Sequence, residues 1–271
     1  MDLPEWFEKA KELFLKGYTY TKIGEELSIN RKRIAVILKK EGYISPSIIK
    51  NSGKGCRKYT VNDDFFEVID TEEKAYWLGF MYADGYVSDE FKTTIELSLK
   101  GSDTRHIEKL KSSISSNHPI YQTKKIIKGV EYIGARLTIS SLKMKADLIA
   151  KGCVPRKTMI LKFPSYDIVP KELMRHFIRG YVDADGCITR KKQGGYFSLE
   201  IVGTEEFLKG IIKELNIHEN KIHKINGRNT VSRVMYCGKF ANSIIYFLYN
   251  NSTISLDRKY NLAKNCVPSI V

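Results

Sequence analysis

Beyond residue 60 the apolar and polar positions of the chain fall into a pattern that occurs twice. In the first block a mostly apolar run around Trp77 ends at Ala83-Asp84-Gly85 and reads as a helix. Thr93, Ile95, Leu97 and Leu99 then alternate with Thr94, Glu96, Ser98 and Lys100. That is the period-two pattern of a strand with one buried face, so residues 85–100 read as a hairpin. A helix capped by Ser102 or Asp103, a hairpin over residues 120–139 and a helix over residues 141–150 complete the block. The second block keeps this order: an apolar helix ending at Ala184-Asp185-Gly186, strands over 187–190 and 196–202, a helix over 204–217, a hairpin turning at Asn226-Gly227, and a helix over 238–249. Each half is predicted as αββαββα. Four antiparallel strands with helices on one face form an α+β layer, and two layers related by a pseudo-twofold axis form one long concave surface.

The first 43 residues follow a helical period instead. One helix is expected over residues 4–16, stopping at Gly17, and a second over 19–27; Ser28-Ile29 turns, and Asn30 caps a third carrying Arg31, Lys32, Arg33, Ile34, Val36, Ile37 and Leu38. This small all-α segment resembles a helix-turn-helix. In that motif the first residues of the last helix reach base edges, which makes Arg31, Lys32 and Arg33 candidate DNA contacts. Gly24 supplies a small residue where two helices cross closely. Residues 44–59, with Ser45-Pro46-Ser47 and Asn51-Ser52-Gly53-Lys54-Gly55, read as a linker.

The repeat extends to particular residues. Ala75, Gly79 and Ala83 recur one helical turn apart, as do Gly180 and Ala184, so each helix offers a flat stripe to another backbone. If the stripes pack on each other, Asp84 and Asp185 meet at two helix C-terminal ends, where like charge and macrodipole both call for a cation. Asp84 and Asp185 are offset by 101 residues, while Gly101-Ser102 and Gly203-Thr204, like Lys157 and Lys259, are offset by 102. Near-constant offsets mean two related halves, placed at residues 60–164 and 165–271.

Over residues 60–271 the chain resembles the LAGLIDADG homing endonucleases in their single-chain, two-motif form. The resemblance implies a DNA saddle whose strands lie in the major groove. The candidate DNA contacts on it are Lys92, Lys124, Lys125, Lys128 and Arg136, then Arg190, Lys191, Lys192, Lys224, Arg228 and Arg233. It implies phosphodiester hydrolysis with magnesium, two or more divalent ions shared between the half-sites, held by Asp84 and Asp185. By the same resemblance Lys157 and Lys259 sit near the attacking water, and Lys100 completes the first half-site; at the 102-residue offset its counterpart is Val202, so the second half lacks the group or uses Glu200 from the same strand face. Glu96 is paired by that offset with Ser198 and is not treated as the equivalent of Glu200. The motifs also differ, Asp183 in the second standing where Tyr82 stands in the first. The expected activity is site-specific double-strand DNA cleavage by a monomer. The alternative is a non-cleaving DNA-binding regulator or an intron RNA maturase on the same scaffold.

Composition narrows the partners. Lysine and arginine total 45 against 31 aspartates and glutamates, a formal net charge of +14, which suits a polyanion. No apolar run approaches the ~18 residues that span a membrane, and Met1-Asp2-Leu3-Pro4-Glu5 has no secretory character. Five scattered cysteines form neither a disulfide framework nor a zinc motif, and the histidines lack metal-ligand spacing. Reduced thiols in the cytoplasm, or in a host-cell interior for a phage- or organelle-encoded protein, are the expectation. Tyr132-Ile133-Gly134 is read as β-strand. The start at Met1 and the end at Val271 lack intein splicing residues, so the chain is expected to be free-standing.

Overall fold

The computed structural model of the chain describes residues 3–15, 18–43, 58–89, 92–127, 129–191, 195–216, 221–225 and 231–266. Lys128, Lys192, Arg228, the expected turn at Asn226-Gly227 and most of the 44–59 segment lie outside the described residues.

Three helices come first: α1 (Phe7–Leu15), α2 (Tyr20–Glu26) and α3 (Arg31–Lys40). Thr19 and Asn30 cap α2 and α3, their side chains accepting from the amides of Lys22 and Lys32. Phe7, Ala10, Leu13, Tyr20, Ile23, Ile34 and Leu38 form a small core of their own. The turn between α2 and α3 is tight. A Cβ on Gly24 would lie 2.6 Å from the Ile29 carbonyl oxygen, and Ser28 takes a φ of 53°.

The first half contains α4 (Glu72–Ala83), β1 (Gly85–Val87), β2 (Thr94–Lys100), α5 (Thr104–Ser113), β3 (Ile120–Ile127), β4 (Val130–Ser140) and α6 (Leu142–Ala150). The second contains α7 (Met174–Asp185), β5 (Gly186–Arg190), β6 (Phe197–Gly203), α8 (Glu205–Leu215), β7 (His223–Lys224), β8 (Ser232–Cys237) and α9 (Gly238–Tyr249), followed by α10 (Asp257–Ala263). The antiparallel sheets have matching orders, β1-β2-β4-β3 and β5-β6-β8-β7. Thr71, Ser141 and Thr204 cap α4, α6 and α8 through their side chains. At Asp103 the expected capping bond is not made: a 3₁₀ turn, Gly101–Asp103, precedes α5, and the Asp103 carboxylate accepts from Arg258 Nε at 3.0 Å instead. Among the described residues no helix is long and apolar enough to cross a membrane.

The two halves join through α4 and α7. Residues 75–82 of α4 are all buried, so its apolar residues surround the axis instead of forming one stripe. A Cβ on Gly79 would lie 1.9 Å from the Phe177 carbonyl oxygen, and one on Gly180 would lie 1.9 Å from that of Tyr76. The contacts are reciprocal about the pseudo-twofold axis, and any side chain at either position would push the helices apart.

Strand register corrects the alignment of the halves. Gly85 faces Leu97, whereas Gly186 faces Ile201, so the second hairpin is three residues longer. The first half recovers that length in the Gly101–Asp103 turn before its helix. Glu96, opposite Tyr86, therefore matches Glu200, opposite Cys187, and not Ser198. Val202 matches Ser98, and Lys100 matches Thr204, whose hydroxyl caps α8 and donates to the Leu161 carbonyl.

Candidate active site at the paired helix ends

Each motif delivers its aspartate by passing straight from helix to strand. Asp84 caps α4 and Asp185 is the last residue of α7; β1 and β5 begin at the next glycine. A Cβ on Gly85 or Gly186 would lie 2.6 Å from the carbonyl oxygen of Met81 or Val182, which no side chain tolerates. The carboxylates thus stand where two helices converge, at the inner ends of both sheets.

Burial raises the Asp84 pKa to about 6, and the like charge of Asp185 adds to it; Lys259, Lys157 and Arg258 act against the rise. Burial also raises Asp185, opposed by Lys157 and then Lys259. Two carboxylates and two lysines from both halves form one coupled cluster. Buried carboxylates that resist ionisation are short of positive charge, and hard oxygen donors suit a hard divalent cation. Among the described residues no three His, Cys, Asp or Glu side chains gather. Such a pair fits an ion that takes one or two protein carboxylates and fills its shell with water and phosphate oxygens, the habit of magnesium.

The lysines reach this cluster from outside the sheets. Arg156, with a φ of 55°, turns the chain so that Lys157 points inward, and its ammonium donates to the Gly85 carbonyl. Lys259 lies on α10, an element absent from the sequence-based reading. Its Nζ donates to the carbonyls of Val182 (2.6 Å), Asp183 (2.8 Å) and Gly186 (2.5 Å). Burial lowers Lys259 to about 8, against the pull of Asp183. The Lys259 ammonium caps the negative end of α7, while that of Lys157 meets the first carbonyl of β1, just past α4.

Behind Asp185 lies a buried polar network. The Asp183 carboxylate accepts from Tyr76 Oη (2.8 Å), Tyr249 Oη (2.5 Å) and the Leu256 amide (2.7 Å). Arg179, fully buried, donates to the Ile254 and Leu248 carbonyls and to Glu72 of the other half. Tyr76 Oη also meets His106 Nε2 at 2.9 Å, and burial drives the His106 pKa down to about 3. Sequence reasoning singled out Asp183 but missed its partners. The signal for Arg179 was a cation inside an otherwise apolar helix face.

The remaining candidates are spread over both sheets. Thr94, Glu96, Ser98 and Lys100 project from the open face of β2, and Lys100 lies three residues beyond Leu97, the partner of Gly85. Arg136 and Arg233 share that open face in their halves, and each meets a glutamate: Arg136 Nε lies 3.2 Å from Glu96, Arg233 Nη1 3.5 Å from Glu200. Strand alternation puts Lys125 with Arg136 but Lys124 on the opposite face, where it pairs with Glu131 at 2.9 Å. Arg190 lies in register with Phe197 and over its ring. Lys92, Lys191 and Lys224 are exposed at strand ends, and Arg31, Lys32 and Arg33 are exposed at the start of α3.

The family profile of the LAGLIDADG-like domain matches residues 172–241, from the turn before α7 into α9. No curated protein sequence matches the chain. Among solved structures, the homing endonuclease I-WcaI bound to its DNA recognition sequence aligns with a TM-score of 0.55 and 13% identity, over 81% of this chain and 96% of that one. The I-LtrWI LAGLIDADG homing endonuclease bound to target DNA gives 0.45 and 12%, over 75% and 89%; the N-terminal LAGLIDADG domain of DUF199/WhiA gives 0.40 and 20%, over 69% and 87%.

Proposed function

We propose, from the premise that the chain carries a LAGLIDADG-like domain on the fold of the LAGLIDADG homing endonucleases, that it is a site-specific DNA endonuclease making a double-strand break. The observation that carries this reading is the cluster of Asp84, Asp185, Lys157 and Lys259 at the paired helix ends. Binding alone gains nothing from carboxylates facing a phosphate backbone, whereas hydrolysis needs them. Bound magnesium would polarise the scissile phosphate and lower the pKa of water. Asp84 and Asp185 would hold the ions, and their place at the junction of the two halves suits attack on both strands. Lys157 and Lys259, fixed by main-chain carbonyls, supply positive charge where the phosphorane becomes negative.

Phosphate and base contacts come from the open faces of the two sheets. Arg31, Lys32 and Arg33 at the start of α3 extend them along the flanking groove in helix-turn-helix fashion. That exposed basic helix also favours a second reading, a non-cleaving DNA-binding regulator.

The test is selection of cleaved sites from a randomised duplex library by the full chain. With magnesium a single family of targets is expected to be cut on both strands. Calcium, with longer and looser coordination, is expected to support binding with little cutting. No cleaved sites with magnesium, together with a target selected by binding in calcium, would establish the regulator reading; undiminished cutting in excess chelator would remove the metal from the mechanism.

A further inference from the structure

The register-matched glutamates stand on the surface that would face DNA, where a negative charge opposes the backbone. We propose that Arg136 and Arg233, each buttressed by its glutamate, read two guanines placed symmetrically about the centre of the target. The inference rests on the endonuclease reading and specifies what its two sheets recognise.

Three observations carry it. The pairs are equivalent: Arg136 faces Ser98 and Arg233 faces Val202, and each of those residues is one step past the partner of the glycine that follows a candidate metal-binding aspartate. Both contacts are built on rigid strands: Glu96 and Glu200 sit two residues before Ser98 and Val202, and their side chains are only 21% and 27% exposed. The arginines remain 40% and 48% exposed, with the guanidinium at the open face.

A guanidinium meant for phosphate gains nothing from a carboxylate beside it, because the carboxylate lowers the local positive potential. A guanidinium meant for a base gains orientation. Glu96 and Ser98 engage Arg136 through Nε, which leaves the terminal fork as its outer edge. Two parallel donors fit two adjacent acceptors, and in the major groove guanine presents such a pair in O6 and N7. Equal placement relative to Asp84 and Asp185 puts the two guanines at equal distances from the cleavage centre, on opposite strands.

The two readers differ in firmness. In the first half Ser98 Oγ also accepts from Arg136 Nε at 3.2 Å, and Thr138 Oγ1 donates to Glu96 at 3.4 Å. Val202 and Met235 stand at the matching positions in the second half, and the ion pair there is longer and engages Nη1, so Arg233 must turn that prong from Glu200 to present its fork. The guanine read by Arg136 should be the more stringent.

The experiment is binding-site selection in calcium, with the full chain and a randomised duplex library, repeated for variants. The parent should select two guanines on opposite strands, equidistant from the centre. Arg136→Lys should lose the preference at one position and Arg233→Lys at the other, each by roughly 5- to 150-fold in discrimination. Glu96→Gln should lower discrimination at the Arg136 position while raising affinity for non-cognate duplex. An Arg136→Ala or Arg233→Ala variant that weakens all duplexes equally, with the salt slope reduced by about 0.9, would show a phosphate contact and overturn the inference. Unchanged discrimination in Glu96→Gln would overturn the buttress. Both outcomes leave the endonuclease reading intact, whereas selection of no duplex at all would overturn that reading together with this one.

Discussion

The two halves bring equivalent aspartates to one place, but they secure the segments carrying the lysines by different chemistry. In the first half Tyr82 donates its hydroxyl to the Lys151 carbonyl, holding the chain that leads from α6 to Lys157. In the second half Asp183 occupies the matching position and accepts from the Leu256 amide, holding the chain that leads from α9 to Lys259. The first tie is neutral and lies within its own half. The second is a buried charge supported by Arg179 and Tyr249, and it draws Tyr76 and Glu72 from α4 across the interface. The proposed shared site therefore depends on α4 twice, once for Asp84 and once for the posture of Lys259. Symmetry survives where Asp84 and Asp185 stand and is abandoned one layer behind them.

The strongest test of the shared geometry is to remove either aspartate. Asp84→Asn and Asp185→Asn should each lower double-strand cleavage by about 1,000-fold or more while retaining DNA binding. A variant that still cuts both strands at the parent rate in a plasmid assay would refute a shared centre.

The ionic tie should be the larger contributor to stability. Asp183→Asn is expected to cost about 3 kcal/mol in chemical denaturation, since it removes a buried charge from a network built around it. It should also slow cleavage by altering the seat of Lys259.

The lysines should separate on the same axis. Lys259→Met removes three hydrogen bonds to main-chain carbonyls and should lower stability by about 2 kcal/mol; Lys157→Met removes one and should cost about half as much. Both should depress cleavage, and equal stabilities in thermal melts would contradict the difference in anchoring.

Acid should act through the second-half network as well. The folded pKa of His106 lies near 3, below its ordinary 6.5, because burial disfavours the charged ring. Its contribution is complete above pH 6.5 and is lost as pH falls toward 3, by about 1.4 kcal/mol per unit. Denaturation midpoints for the parent and His106→Gln should stand furthest apart, by a constant gap, above pH 6.5 and converge as pH falls below it. Smallest of all, Tyr82→Phe should cost about 1 kcal/mol, the value of one hydrogen bond within the first half.

Much of this protein is legible without coordinates because it is local or repeated. Alternation along β2, the helix starts near Ser141 and Thr204, the small-residue stripes on α4 and α7, and the duplicated Ala-Asp-Gly are each carried by neighbouring residues, and each recurs in the structure. Sequence offsets alone could not match the second strands. The longer hairpin in one half and the 3₁₀ turn in the other compensate, so nearly constant spacing conceals a shift that only hydrogen-bond register reveals. That shift decides that Glu96 and Glu200 are equivalents and that Lys100 has none of its kind. Tertiary structure also decided what Asp183 and Arg179 are for. Their partners lie as far as 107 residues away along the chain, and a buried charge has no local pattern: its meaning is set by the groups that fold around it.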